Sequence, residues 1–338
     1  MRTRLTVLLS FALLAVAVAG CTSGSAAVSS TTPTAYVVTG ANVANPKADV
    51  AVVDLAAPRV QPSITVGTLP GAVTVTPDGK DALVAVKGED QLVEIDVASG
   101  RIVGTVGVGL EPDAVAVTPD GSLALVANLD DGTVTPVALP SLRAGHPIPV
   151  GRQPAAVAVS PDGRQAVVAN YGDGTITPIA LPSLAPGPPI PAGQEPVAVY
   201  VSASGPSGGP TAFVADFETS SLTPILLATA APGPSIPVAG NPTGIAAWPD
   251  SSTMMVSGGD SLTPVDATTG QVGPSIGMDT AAEALALADG GGSAWVCGGN
   301  GDLVRVDLSS RTVTGSVRVG GEPSAIAIAD PGSARGPS

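Results

Sequence analysis

Residues 155–196 read AAVAVSPDGRQAVVANYGDGTITPIALPSLAPGPPIPAGQEP, and the stretch before them, 113–154, matches almost word for word. VAVS alternates small and branched side chains, Pro161-Asp162-Gly163 interrupts it, and QAVVAN follows as a second short strand. After Tyr171-Gly172-Asp173-Gly174 comes TITPIAL, and PPIPAG supplies a short fourth strand. Alternation with period two marks strands rather than helices. Pro-Asp-Gly suits a tight turn, because Pro presets φ and Gly accepts positive φ.

Outward from this unit the same alternating segment recurs as AVTV at Ala72, AVAV at Ala114 and Ala156, AVYV at Ala198, GIAA at Gly244, ALAL at Ala284 and AIAI at Ala325. The intervals are 42, 42, 42, 46, 40 and 41 residues. Four short strands per repeat of this length are the signature of a propeller blade. The sequence therefore predicts an all-β fold, a seven-bladed β-propeller of four-stranded antiparallel blades over residues 35–330. Abundant Gly (42) and Pro (34) and an aromatic content of 2% suit short strands joined by tight turns. The first unit starts at Tyr36 with YVVTG, which corresponds to a second strand, and Ser324–Ala329 is a first strand with nothing after it but a polar tail, 331–338. The orphan is expected to complete the first blade and close the ring. Four third strands contain Thr-Pro, at Pro136, Pro178, Pro224 and Pro264. Each removes a ladder donor, which predicts either a bulge or an N–H position facing a truncated fourth strand.

The N-terminus has its own logic. Arg2 and Arg4 precede an uncharged run from Leu5 to Gly20, a charged and then apolar pattern that reads as a signal peptide over residues 1–20. Val18-Ala19-Gly20-Cys21 resembles the bacterial lipobox, which implies lipidation of Cys21. Residues 22–34, TSGSAAVSSTTPT, are small, polar and aperiodic, and are expected to form a flexible tether reaching roughly 20 Å. The expected address is the cell envelope, lipid-anchored and outward-facing, with membrane contact through the anchor alone.

The repeats VAVSPDGRQAVVANYGDGTITPI, VTPDGKDALVAV with LVEIDVASGRIVGTVGVG, and VAN with DGTVTP resemble the YVTN-type β-propeller repeat over essentially all of residues 35–330. SASGPSGGP at residues 202–210 and Trp248-Pro249-Asp250-Ser251 depart most from its Pro-Asp-Gly turn. The resemblance implies a secreted or envelope-associated scaffold. Lactonases and lyases among related propellers keep an enzymatic alternative open, with its site at the tunnel mouth. A structural envelope component is a third.

Charge narrows the partners. The net charge is −14, and removal of the leader leaves 28 acidic against 12 basic residues. Such a chain lacks the Lys/Arg stripe that displaces counterions from phosphates, which argues against nucleic acid. On the face where second strands pass to third strands, and each blade to the next, the sequence places fifteen carboxylates: Glu89, Asp90, Glu111, Asp113, Asp130, Asp131, Asp173, Glu195, Asp216, Glu218, Asp260, Asp279, Glu283, Asp302 and Glu322. Lys47, Lys87 and Arg152 are the basic residues placed with them. Such a face suits a protein, peptide or cationic ligand, although Asp is also a favoured turn residue. Tyr171 and Phe217 occupy equivalent places there, either as partner anchors or as caps on blade seams. With Asp130, Asp173, Glu195 and Asp216 they form the candidate partner-binding set. Asp113 and Glu283 precede first strands nearest the tunnel and are weak candidates for a divalent cation; no other cofactor is expected, and the chain is expected to be a monomer. No catalytic residue is assigned. The single histidine, His146, falls on the opposite face or outer rim, and Cys297 lies in a second strand, SAWVC, as a buried thiol.

Overall fold

The computed structural model describes residues 32–40, 47–248 and 252–330. The expected signal peptide over 1–20, Cys21, most of the expected tether, residues 331–338 and the Lys47 side chain lie outside the described residues. Seven sheets form, each antiparallel throughout. We number the blades in chain order and letter their strands A to D from the axis outward. Blade 3, for example, has A at Pro112–Val117, B at Leu123–Asn128 and C at Thr133–Ala138. Each A strand packs on the A strands of both neighbouring blades, and the seven close a ring around the axis. The protein is a seven-bladed β-propeller. Among the described residues no helix is long and apolar enough to cross a membrane.

Closure works as the chain ends predicted. Glu322–Ala329 is strand A of blade 1 and pairs with strand B, Thr34–Gly40, in a register that sets Ile328 against Ala35 and Ile326 against Val37. Ile326 and Ile328 are buried in a core cluster that also holds residues of blades 2 and 7. Strand B of blade 1 begins on the far face, away from the B–C connections, where the Leu55 N–H donates to the Pro33 carbonyl at 2.9 Å.

The four Thr-Pro strands resolve in favour of the truncated partner. Pro136 pairs with Leu125 of strand B without a shift, so its missing donor faces strand D. There strand D is cut into Arg143–Ala144 and Ile148–Pro149, and only the Gly145 N–H reaches across, to the Pro136 carbonyl at 2.7 Å. Gly187, Gly233 and Gly273 repeat this bond to Pro178, Pro224 and Pro264. Glycine suits the position, because a Cβ at Gly145 would crowd the Pro136 ring at 3.0 Å. Blades 1, 2 and 7 lack the proline and keep long D strands, Arg59–Thr68, Arg101–Gly107 and Thr312–Arg318. Exposed His146 sits in the gap of the split blade 3 edge, on the outer rim.

Candidate functional site

The mouth of the axis is built from seven β-bulges. Every A strand shifts register against its B strand at its mouth end, as between Pro112 and Ala114, or Pro154 and Ala156. The residues bulged out are Gly71, Asp113, Ala155, Val197, Thr243, Glu283 and Ser324. The ring is tied from blade to blade: the Thr243 hydroxyl donates at 2.6 Å to the carbonyl of Ala282, the residue just before Glu283 in the next blade. Both metal candidates belong to the ring, three blades apart. Asp113 is 2% exposed and ion-paired with Lys87, whose chain crosses the bare Cα of Gly71 to reach it. Burial pushes the Asp113 carboxyl up and the Lys87 ammonium pulls the other way. A protein ammonium thus stands where a bound cation would. Glu283 is half-buried, and burial, then the charge of Glu322, raise its carboxyl above the ordinary range. Among the described residues no group of three or more His, Cys, Asp or Glu could hold a metal.

Many of the remaining mouth carboxylates are spent on the seams between blades. The N–H of Leu110 donates to Asp131 at 2.7 Å, that of Arg152 to Asp173 at 2.6 Å, and that of Gln194 to Asp216 at 2.6 Å. In each case a D–A connection is stapled to the next B–C turn, and Glu89 does the same for the N–H of Thr68 at 2.9 Å. Asp216 is 1% exposed and inaccessible to a partner. Asp173 also receives the Arg152 guanidinium, and these bonds hold its carboxyl below the usual range. Three positions before the acidic staples Asp131 and Asp173 stand Asn128 and Asn170, both fully buried. Asn170 accepts from the Gly151 N–H at 3.1 Å and donates to Thr175 and Thr177 at 3.1 and 3.0 Å. This latch explains the VAN…DGTITP pattern: asparagine offers the acceptor for one chain and the donors for the other.

Tyr171, Glu195 and Phe217 are brought together. The Tyr171 hydroxyl donates to the Glu195 carboxylate, and burial, then that bond, raise the phenol's pKa, with Glu218 adding to the effect. The Phe217 N–H donates to the Glu195 carbonyl at 3.0 Å. Both rings are partly buried against one core cluster, so they do cap a seam while keeping an exposed edge. Lys87, Leu129, Tyr171 and Phe217 are equivalent residues, each the first after strand B, whereas blades 6 and 7 have Gly259 and Gly299 there. The mouth is therefore capped over blades 2–5 and lower over blades 6 and 7. Asp130, Glu111, Glu218, Asp260, Asp279 and Glu322 are exposed on this face. Sequence reading missed Arg318 at the mouth end of strand D in blade 7, where it pairs with Asp302 at 3.4 Å. Its signal was hidden because the register of D strands is set by bulges that no residue pattern announces. Cys297 is fully buried, and burial pushes its thiol well up, which suits an inert core residue.

No family model and no curated relative matches the chain. Solved structures do. A functionally unknown protein from Desulfotomaculum acetoxidans DSM 771 is 16% identical, with a TM-score of 0.75 over 89% of this chain and 99% of that one. Hydrazine synthase of Kuenenia stuttgartiensis is 20% identical, with a TM-score of 0.67 over 76% and 89%. Dihydro-heme d1 dehydrogenase NirN, in complex with DHE, is 16% identical, with a TM-score of 0.64 over 86% and 74%. At these identities the likeness shows the propeller fold alone.

Proposed function

We propose that the chain is a YVTN-type propeller lipoprotein, anchored through Cys21 to the outer side of a membrane, that acts as a binding scaffold for a cationic protein segment or peptide. One observation carries the reading. Fifteen carboxylates are placed at the mouth against three described cations, and each of those cations already has a carboxylate partner: Lys87 with Asp113, Arg152 with Asp173, Arg318 with Asp302. The uncompensated charge draws in a cation from a distance. Exposed edges of Tyr171 and Phe217 beside Glu195 and Glu218 then offer it aromatic faces and acceptors at close range. The chain enters the propeller on the far face, so an anchored molecule turns its mouth away from the bilayer.

Binding of an oligo-lysine peptide to the full chain in lipid nanodiscs tests this. Expected is a dissociation constant that rises steeply with salt and a further loss of affinity in the double variant E195Q/E218Q. Affinity that ignores both salt and these substitutions overturns the reading.

A further inference from the structure

A second site lies on the far face, in the seam between blades 6 and 7, where a cleft of about 250 Å³ is lined by Trp248, Met255, Ile276, Leu287, Leu308 and Arg311 among others. In three other seams this part is filled, a large side chain on one side covering a glycine on the other where the C–D turn meets strand D of the preceding blade. Ile64 lies over Gly100, Leu142 over Gly104, and Ile236 over Gly270. In blade 7 the residue equivalent to Leu142 is Arg311, at φ 59° where Leu142 has 47° and Leu184 has 59°. Its guanidinium does not turn inward. It donates to the Pro274 carbonyl at the cleft's edge and leaves the apolar seam unfilled.

The other wall is equally unusual. Trp248 stands where Thr76, Thr118 and Ser160 cap their A–B turns with a hydroxyl, and its half-buried ring lies against Gly291. An indole, four apolar side chains and one cation thus converge on a single opening. The nearby Asp289 carboxylate is already engaged by Arg305 and Ser293, at 3.1 and 2.7 Å.

We infer that this cleft binds a small amphiphilic carboxylate, with a flat apolar body of one or two rings against Trp248 and its anionic head on the Arg311 guanidinium. The volume lies just below the range of drug-sized ligand sites, which sets the upper size. The charge-assisted bond to guanidinium selects the carboxylate over a neutral twin. This inference is independent of the acidic mouth, which faces the other way.

Calorimetric titration of the full chain with 2-naphthylacetate, and separately with 2-naphthylacetamide, tests it. Expected is saturable binding of the acid, about tenfold or more tighter than the amide. In R311L a leucine refills the seam as Leu142 does, so the acid's affinity falls at least about tenfold while thermal melting holds or improves. W248T, which restores the turn hydroxyl of blades 2 to 4, loses binding as well. No saturable heat with the native chain, or equal affinity for acid and amide, overturns the inference. So does undiminished binding in R311L.

Discussion

At the scale of single residues, the structure separates carboxylates that one letter cannot. Asp130 and Asp131 are neighbours, yet Asp131 accepts a backbone N–H from 21 residues earlier while Asp130 is exposed. Asn170→Ala would leave the Gly151 N–H without its acceptor and should cost about 1–3 kcal/mol of unfolding free energy by chemical denaturation. Lys87→Met strands Asp113 in the ring; a loss of about 3–5 kcal/mol is expected, largely recovered in the double variant K87M/D113N. Glu283 gives a pH signature. Its carboxyl titrates above the ordinary range when folded, so the folded state holds a proton that the unfolded chain has released. Its ionisation therefore costs stability as pH rises from the ordinary glutamate range through that raised value. E283Q should melt higher than the native chain at neutral pH, with the difference vanishing below pH 4, and a constant difference across that range would contradict the assignment.

At the scale of elements, the strands are legible and their edges are not. Alternation in AVAV and the Pro-Asp-Gly turns specify strands A and B because each side chain there is buried on one of two faces. The orphan strand at Ser324 is legible for the same reason: burying Ile326 and Ile328 contributes about 3–6 kcal/mol, so truncation after Pro323 should lower the melting temperature sharply or leave an aggregating chain. The extent of strand D escapes the reading, since its side chains are mostly exposed and carry no periodic signal. Its shape is decided instead by one proline in strand C and one glycine opposite. This couple divides the molecule into four blades with interrupted edges and three, adjacent around the ring, with continuous ones. Proline and interruption protect an outer edge from pairing with other chains; bulges at Val103 and Thr314 do so in blades 2 and 7. The candidate site was half visible. Tyr171 and Glu195 stand out by position, but the Lys87–Asp113 bond joins residues 26 apart in neighbouring blades, and no local pattern points to it.

At the scale of the whole molecule, the two faces differ in kind. The mouth holds carboxylates in excess of its cations. On the far face the turn aspartates are largely tied into their own loops, as Asp120 is by Thr118 and Asp162 by Ser160, bonds that lower both carboxyls. If the molecule is anchored through Cys21, Cys21→Ser should release it from the membrane fraction and abolish metabolic labelling with palmitate. Continued membrane attachment of that variant would remove the basis for the orientation proposed here. The point of chain entry has a mechanical side. Strand B of blade 1 begins at Thr34 on the far face and is bonded along its length to strand A on one side and strand C on the other. A pull on the chain ahead of Thr34, directed away from the mouth, therefore runs parallel to both ladders. Their bonds must slide and break together rather than unzip one at a time, so the blade that looks weakest, being assembled from both ends of the chain, is loaded in the direction in which a sheet resists best.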